Sequence, residues 1–273
     1  MNAMRIALKI AYVGTGYNGS QVQPGVATIE GELLRSLMEL EIIDDPKSAR
    51  FASSGRTDAG VHAKGQVVAF DTDKANLAIP RVINSKLPNS IWAWAYAKVP
   101  DDFDPRRWPV SRKYRYVMSG EQYDISMIRA ASKKLVGKHD FANFCTGVQS
   151  KSTVRNVERV DVRVSGTLTM IDIQANSFLW NMVRKIVAAL TMVGSGVRDE
   201  EWLEQMLDPE SYEEGIEPAP AYGLTLMKIN YAENIDWSDD GYAARRANEH
   251  VHEYLVRHRV MAEVMEQLAA PQK

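Results

Sequence analysis

The chain has 273 residues, 45% of them hydrophobic and 25% charged, with a formal net charge of -2 at pH 7. These values are typical of a folded globular protein and exclude large-scale disorder or an overall basic chain, so local charge patches matter more than the total. Its one cysteine, Cys145, excludes an internal disulfide and a cysteine-built metal site, and the expected compartment is a reducing cytoplasm.

Strands and helices are predicted to interleave along the chain. Residues 5–13 alternate as a strand does, and their apolar run is too short for a signal peptide or a membrane span. Similar patterns predict strands over residues 66–71, 91–99, 113–118, 154–164, 167–175 and 223–231. Helical spacing predicts helices over residues 28–41, 79–86, 125–136, 178–193 and 200–207.

The order of these elements predicts an α+β fold with a mixed, largely antiparallel sheet flanked by helices. A tight turn at residues 164–167 makes part of the sheet antiparallel. The strand and helix order occurs twice, which predicts two similar half-domains, residues 1–105 and 106–231, with an active-site cleft between them. Residues 232–273 are predicted to form a helical extension. Its apolar residues follow no clean single stripe, so we expect it to pack on the body or on a second subunit.

A glycine-rich segment, GTGYNG at residues 14–19, matches the dinucleotide-binding fingerprint and follows a strand. That fingerprint requires a helix that opens within the glycines and points its N-terminus at the pyrophosphate. Residues 20–27, which include Pro24 and Gly25, separate the glycines from the next predicted helix. We therefore predict a flexible loop at the mouth of a site, where glycines allow close backbone approach.

A basic and aromatic segment follows residue 105. Trp108, Tyr114 and Tyr116 are interleaved with five basic residues, which are Arg106, Arg107, Arg112, Lys113 and Arg115. Such a mixture binds phosphates by charge and bases by stacking, although an exposed charged strand with core tyrosines is an equally good interpretation. On a strand, Lys113 and Arg115 point to one face while the two tyrosines point to the other.

Asp58 lies in a segment of small residues, SSGRTDAGVHAKGQVVAF at residues 53–70, with Arg56 before it and His62 after it. The segment has neither the paired carboxylates of a glycosidase nor ligands at metal spacing, and a polar turn is its default interpretation. Arg184 lies on the flank of the apolar face of the helix predicted at 178–193, where an arginine needs an acidic partner. Asp172 is one structural candidate for that partner.

Taken together, the motifs resemble the tRNA pseudouridine synthase A family over about residues 4–231. The segments that carry the resemblance, in the family's order, are YNGSQVQP, GRTDAGVHAKGQVVAF, FDPR, RKYRY, NSFLWNMVRKIV and YGLTLMKINY. The resemblance implies an enzyme that isomerises uridine to pseudouridine at positions 38, 39 and 40 in the tRNA anticodon stem-loop. It also implies a cytoplasmic homodimer with no metal or other cofactor, and with tRNA, not DNA or a membrane, as its partner.

The resemblance also implies roles for single residues. Asp58 corresponds to the catalytic aspartate, Tyr114 to the residue packed on the target base, and Arg184 to the ion-pair partner of the aspartate. Arg56 belongs to the same loop and is expected to bind substrate or order the loop. Phosphate binding is predicted from charge alone for Arg106, Arg112 and Lys113. Ser20 departs from the family, since many members carry a large aromatic residue at this position.

The chemistry explains why one carboxylate is enough. Pseudouridine formation breaks the bond from ribose C1′ to uracil N1, turns the base and rejoins it through C5, without redox change. The aspartate acts as a nucleophile toward C6 or C1′, or as a base toward the C2′ proton, and the sequence does not choose among these. Arg184 is expected to orient Asp58 through two parallel hydrogen bonds.

Two other functions compete with this one. A non-catalytic RNA-binding module leaves Asp58 and Arg184 unexplained, because a carboxylate on an RNA surface repels phosphate. A small-molecule hydrolase that uses Asp58 lacks a second acid or a metal.

Overall fold

The computed structural model describes residues 3–147 and 152–269 and confirms the α+β class. The strands are β1 (Met4–Tyr12), β2 (Ala52–Ser53), β3 (His62–Thr72), β4 (Ile91–Lys98), β5 (Pro109–Ser119), β6 (Gly137–Asp140), β7 (Val154–Ser165), β8 (Leu168–Ala175), β9 (Leu224–Tyr231) and β10 (Ser238–Asp239). The helices are α1 (Ile29–Glu39), α2 (Pro80–Ile83), α3 (Ile125–Lys134), α4 (Met182–Gly194), α5 (Glu200–Gln205) and α6 (Gly241–Ala269).

The strands form one continuous mixed sheet in the order β10-β4-β1-β3-β9-β5-β8-β7-β6, with β2 paired to β3. Among the described strands only β3 and β9 pair in parallel, through His62 with Thr225 and Ala63 with Leu226. This contact joins the first strands of the chain to the later ones. It also places the start of β3, and the loop that leads into it, at the middle of the sheet.

Two hydrophobic clusters build the core. One packs α1 against β1 and β3, with Leu33, Leu37 and Phe70 fully buried, and the other packs α3 and α4 against β8 and includes Ile173 and Ile186. The ring of Tyr114 on β5 contacts both clusters. The half-domain boundaries at residues 105/106 and 231/232 stay a prediction.

Helix α4 begins later than its sequence pattern predicts. The apolar spacing starts at residue 178, but Asn181 has a φ of 61° and the helix begins at Met182. A left-handed residue interrupts the helical path, so the preceding residues form a turn. This turn carries Trp180 toward the loop that precedes β3.

Helix α6 is a long extension that is anchored only near its start. Asp240 caps it by accepting hydrogen bonds from the backbone of Tyr242 and Ala243, and its other oxygen accepts from Arg81 Nε at 2.9 Å. Within the helix only Ala243 and Ala247 are buried. Over residues 3–147 and 152–269, no helix has both the length and the apolar character needed to cross a membrane.

Candidate active site

Asp58 lies in the loop of residues 54–61 between β2 and β3, and this loop is pinned at Thr57. The Thr57 amide donates to Ser20 Oγ at 2.8 Å, and the Ser20 amide donates to the Thr57 carbonyl at 3.0 Å. Tyr12 joins them, with its hydroxyl 2.8 Å from Thr57 Oγ1. Ser20 is 1% exposed, so the residue that departs from the family pattern holds the backbone next to Asp58.

Two glycines of GTGYNG, Gly14 and Gly19, pack against the same loop, which explains their presence without a nucleotide. A Cβ on Gly14 would lie 2.0 Å from the Val61 carbonyl oxygen, and one on Gly19 would lie 2.9 Å from that of Thr57. Gly19 also has a φ of 90°, which other residues rarely adopt. Close approach to the backbone of this loop therefore explains why Gly14 and Gly19 are glycines.

His62 joins the glycine segment to the turn that precedes β9. The Gly14 amide donates to His62 Nδ1 at 3.0 Å, so the ring hydrogen lies on Nε2, which is 3.0 Å from the Tyr222 carbonyl oxygen. Burial lowers the pKa of His62, which favours this neutral form. His62 has a structural role here and does not contact Asp58.

Both carboxylate oxygens of Asp58 have a partner from the start of α4. Trp180 Nε1 donates to Oδ1 at 3.0 Å, and Arg184 Nη1 lies 3.4 Å from Oδ2. Arg184 also donates from Nε to the Ala219 carbonyl at 2.6 Å and from Nη1 to Asn181 Oδ1 at 3.0 Å. One arginine contact and one indole N–H thus replace the expected two parallel bonds. The sequence prediction did not assign Trp180 to the site, and its contact with Asp58 depends on the turn before α4 that the left-handed Asn181 creates.

Asp172, the structural candidate for the partner of Arg184, lies elsewhere. It accepts from Arg115 Nε at 2.6 Å and contacts Lys113 Nζ at 3.0 Å and Arg163 at 2.7 Å. Burial raises the pKa of Asp172, but hydrogen bonds from Arg115 and Lys113 outweigh it and lower this pKa to about 2. Lys113 therefore does not join the predicted site, because alternate residues of β5 face opposite sides of the sheet and Lys113 faces away from Tyr114.

Asp58 opens into a cavity of about 1030 Å³ that Tyr114 helps to line. The Tyr114 ring is half-buried and meets Phe178 edge to face, with ring centres 5.1 Å apart and planes at 86°. Burial raises the pKa of Tyr114 to about 12, so its hydroxyl stays neutral at physiological pH. The ring offers a flat apolar surface next to the carboxylate.

The cavity is strongly cationic. Asp58 is its one acidic residue within the described part of the chain, against six arginines, which are Arg56, Arg106, Arg107, Arg112, Arg155 and Arg184. Among the described residues, no lysine lines this cavity. The described part of the chain also has no group of three or more His, Cys, Asp or Glu side chains that could hold a metal ion. Guanidinium groups suit phosphate because they donate in pairs.

Two of these arginines are held in place by backbone carbonyls. Arg112 donates to the carbonyls of Asn176 at 3.0 Å and Arg106 at 2.9 Å, and burial lowers its pKa. Arg155, which was not predicted as a site residue, donates to the Val154 carbonyl at 2.7 Å, and its buried Nε has no partner among the described residues. Neither forms an ion pair within 4 Å in the described structure, so both present uncompensated charge.

Comparison with known proteins identifies the family of the chain. A family model described as tRNA pseudouridine synthase matches residues 131–232. The tRNA pseudouridine synthase A of Methanococcoides burtonii is 67% identical over 97% of this chain and 96% of its own. The same enzyme of Methanosarcina acetivorans is 65% identical over 97% of this chain and 98% of its own. That of Archaeoglobus fulgidus is 43% identical over 93% of this chain and 94% of its own. The chain belongs to the tRNA pseudouridine synthase A family and is an isomerase that acts on tRNA.

Proposed function

We propose that the protein makes pseudouridine at positions 38, 39 and 40 of the tRNA anticodon stem-loop, with Asp58 as its catalytic carboxylate. The observation that carries the proposal is the position of Asp58 as the one acidic residue in the described lining of a cavity with six arginines. The guanidinium groups around this carboxylate carry the opposite charge. The carboxylate serves as the nucleophile or base, while the arginines serve the phosphates of the substrate.

Trp180 and Arg184 orient the carboxylate. Each occupies one oxygen of Asp58, and each oxygen keeps a further lone pair that is free to attack carbon or to accept a proton. The reaction is internally balanced. The C1′–N1 bond breaks, the C1′–C5 bond forms, and the proton lost from C5 is matched by one gained at N1. Nothing is oxidised or reduced. An oriented carboxylate therefore supplies the nucleophile or base that the reaction needs from the chain.

The target uridine is paired or stacked in the free tRNA and has to leave its stack. Extrusion of a base costs about a few kcal/mol. Stacking on an aromatic ring contributes about 1–3 kcal/mol by analogy with single-strand binders, which offsets much of that cost. Tyr114 supplies this surface, and the neighbouring Phe178 edge fixes its orientation. The role proposed for Tyr114 is to pack on the base.

We assign phosphate binding to four arginines that line the cavity, which are Arg56, Arg106, Arg112 and Arg155. Carbonyl contacts hold Arg112 in a fixed direction, which lowers the entropy lost when it meets a phosphate. Recognition by such groups depends on the shape of the stem-loop and on phosphate positions. RNA is therefore the proposed polyanion, in preference to DNA. The cytoplasm stays the proposed compartment on the grounds of the single cysteine.

A homodimer is part of the proposal, and α6 supports it. From residue 251 onward the helix exposes a seam with alternating spacings of three and four residues, which comprises Val251, Tyr254, His258, Met261, Met265 and Leu268. This is the heptad pattern of a coiled coil. In an antiparallel pair, Val251 of one helix lies opposite Leu268 of the other, Tyr254 opposite Met265, and His258 opposite Met261. The seam is therefore self-complementary about a two-fold axis. The sequence pattern hid this seam because valines on the other face interrupt it.

A pair of charge insertions tests this interface. Met261→Glu with Met265→Glu places carboxylates in the seam, whereas Val256→Glu with Val260→Glu places them on the opposite face of the same helix. Sedimentation equilibrium should give a dimer for the parent and for the second pair, and a monomer for the first. A monomeric parent at micromolar concentration would refute the dimer, and a dimeric seam variant would assign the interface to another surface.

Site mapping tests the proposed reaction. The purified protein is incubated with an unmodified tRNA transcript that carries uridine at positions 38, 39 and 40, and pseudouridine is located by carbodiimide modification and primer extension. A matched transcript with cytidine at those positions is the control. Stops confined to the three positions are expected. Stops elsewhere would refute the assigned positions, and tight binding without any stop would favour a non-catalytic RNA-binding protein.

A further inference from the structure

A second cavity, of about 550 Å³, lies on the sheet face opposite Tyr114. Four lysines from four neighbouring strands line it, namely Lys9 of β1, Lys64 of β3, Lys228 of β9 and Lys113 of β5. The proposed reaction uses none of them. Its volume is within the range of small-molecule sites, about 300–1000 Å³. The cavity is distinct from that of Asp58, because no residue lines both.

The charges of this cavity are poorly compensated by protein. Lys113 pairs with Asp172 at 3.0 Å, but Lys9, Lys64 and Lys228 have no carboxylate within 4 Å among residues 3–147 and 152–269. Glu233 is the one acidic residue in the described lining. Burial lowers the pKa of Lys9, while a more distant Asp239 acts in the opposite direction. The lining therefore carries a net positive charge.

The register of the sheet adds to this excess. Lys113 and Lys228 are direct partners across the antiparallel pair of β5 and β9. Like charges at such positions repel each other and destabilise the sheet. The ion pair of Lys113 with Asp172 offsets part of that repulsion, and a bound anion removes the remainder. The arrangement thus favours a ligand of negative charge.

Two tryptophans make this a preformed site. The Lys9 ammonium lies 4.9 Å from the centre of the Trp94 ring and 4.3 Å from that of Trp237. Trp94 is fixed in turn, because its Nε1 donates to the Lys64 carbonyl at 2.9 Å. Cation–π contacts hold the Lys9 side chain without neutralising it. Its charge remains part of the cavity lining.

We propose that this lysine cavity binds phosphate groups, either consecutive phosphates of an RNA backbone or those of a free polyphosphate. Ammonium groups bind phosphate as point charges from several directions, and do not need the paired geometry that arginine offers a single carboxylate. Four lysines against one glutamate match a ligand with at least two negative charges. The site is independent of the chemistry at Asp58.

The test removes two of the unpaired charges. Lys64→Gln with Lys228→Gln is compared with Lys47→Gln and Lys98→Gln, a pair of exposed lysines that line neither cavity and give the same change in net charge. Binding of a tRNA transcript is measured between 50 and 200 mM NaCl, and binding of inorganic pyrophosphate by calorimetry. Thermal unfolding checks folding. The cavity variant should unfold no earlier than the parent, because the substitution removes a like-charge pair.

If RNA is the ligand, the slope of log K against log salt is shallower by about 1.4–1.8 in the cavity variant, because each of the two lost phosphate contacts contributes about 0.7–0.9. The control keeps the slope of the parent. If a free polyphosphate is the ligand, tRNA binding is unchanged, while the parent and the control bind pyrophosphate and the cavity variant does not. A parent that binds no pyrophosphate, with equal tRNA slopes for all three proteins, overturns the proposal. Pseudouridine formation at saturating tRNA should be equal in all three, so failure of this site and failure of the proposed reaction are distinguishable.

Discussion

Replacement of Arg184 by lysine separates charge from geometry at Asp58. The guanidinium contacts three groups at once, which are Asp58 Oδ2 at 3.4 Å, Asn181 Oδ1 at 3.0 Å and the Ala219 carbonyl at 2.6 Å. An ammonium group on a lysine stem keeps the charge but cannot bridge these three directions. We expect Arg184→Lys to fold and to bind tRNA, and to lose most of its kcat.

The size of the effect follows from the hydrogen bonds that the substitution removes. A hydrogen bond to a charged group contributes about 1.5–3 kcal/mol. If the bond to Asp58 is missing in the transition state, kcat falls about 10- to 150-fold, since about 1.4 kcal/mol is one factor of ten. Removal of the bond from the charged guanidinium to the Ala219 carbonyl costs about 1.5–3 kcal/mol of stability, which lowers Tm by about 3–12 °C.

Single-turnover kinetics on a tRNA transcript and thermal unfolding measure the two effects separately. Arg198→Lys is the matched control, because Arg198 contacts Glu214 at 2.8 Å on the surface and lies outside both cavities. An exposed pair of this kind contributes about 0–1 kcal/mol, so the control should keep its kcat. A kcat for Arg184→Lys within twofold of the parent would refute the orienting role. A fall in Tm above about 12 °C would make Arg184 structural.

Three further predictions concern the groups around the loop of Asp58. Trp180→Phe keeps an aromatic, smaller ring and deletes the N–H, so kcat should fall about 10-fold or more at unchanged Tm, and an unchanged kcat would show that the bond is absent in the reacting complex. Ser20→Ala leaves the buried Thr57 amide without its acceptor, which should cost about 1–3 kcal/mol in urea unfolding and also lower kcat. His62 has a lowered pKa when folded, so its stabilising effect is present above about pH 6.5 and is lost as pH falls through the lower folded value. The free energy of unfolding should fall with acid in the parent more than in His62→Asn, and equal slopes would contradict this.

Local patterns predicted most of the regular elements because their periodicity is visible in the chain. The strand at residues 5–13 and the helix at 125–136 are observed as β1 and α3, each within two residues at either end. Short elements without a period were missed, such as β6 with four residues and β10 with two. The late start of α4 was missed because it depends on the φ of Asn181, which no periodicity encodes.

The candidate site was harder to predict, because its contacts join distant parts of the chain. Asp58 and Arg184 are separated by 126 positions, and from local pattern alone Asp172 was an equally good partner. The family resemblance, not the pattern, connected them. Strand alternation did predict that Lys113 faces away from Tyr114, yet charge alone had suggested a shared role. The side chains of Ser20 and Trp180 act through one hydrogen-bonding atom each, and residue type does not reveal where such an atom points.

The most direct test of the account is pseudouridine formation by Asp58→Asn on the transcript with uridine at positions 38, 39 and 40. Asparagine keeps the shape of the side chain and can still accept from Trp180, but it removes the charge and the nucleophilic oxygen. We predict a folded variant that binds tRNA as the parent does and leaves no carbodiimide-dependent stop at any of the three positions. Measurable turnover by this variant would contradict the assignment of Asp58 as the catalytic carboxylate.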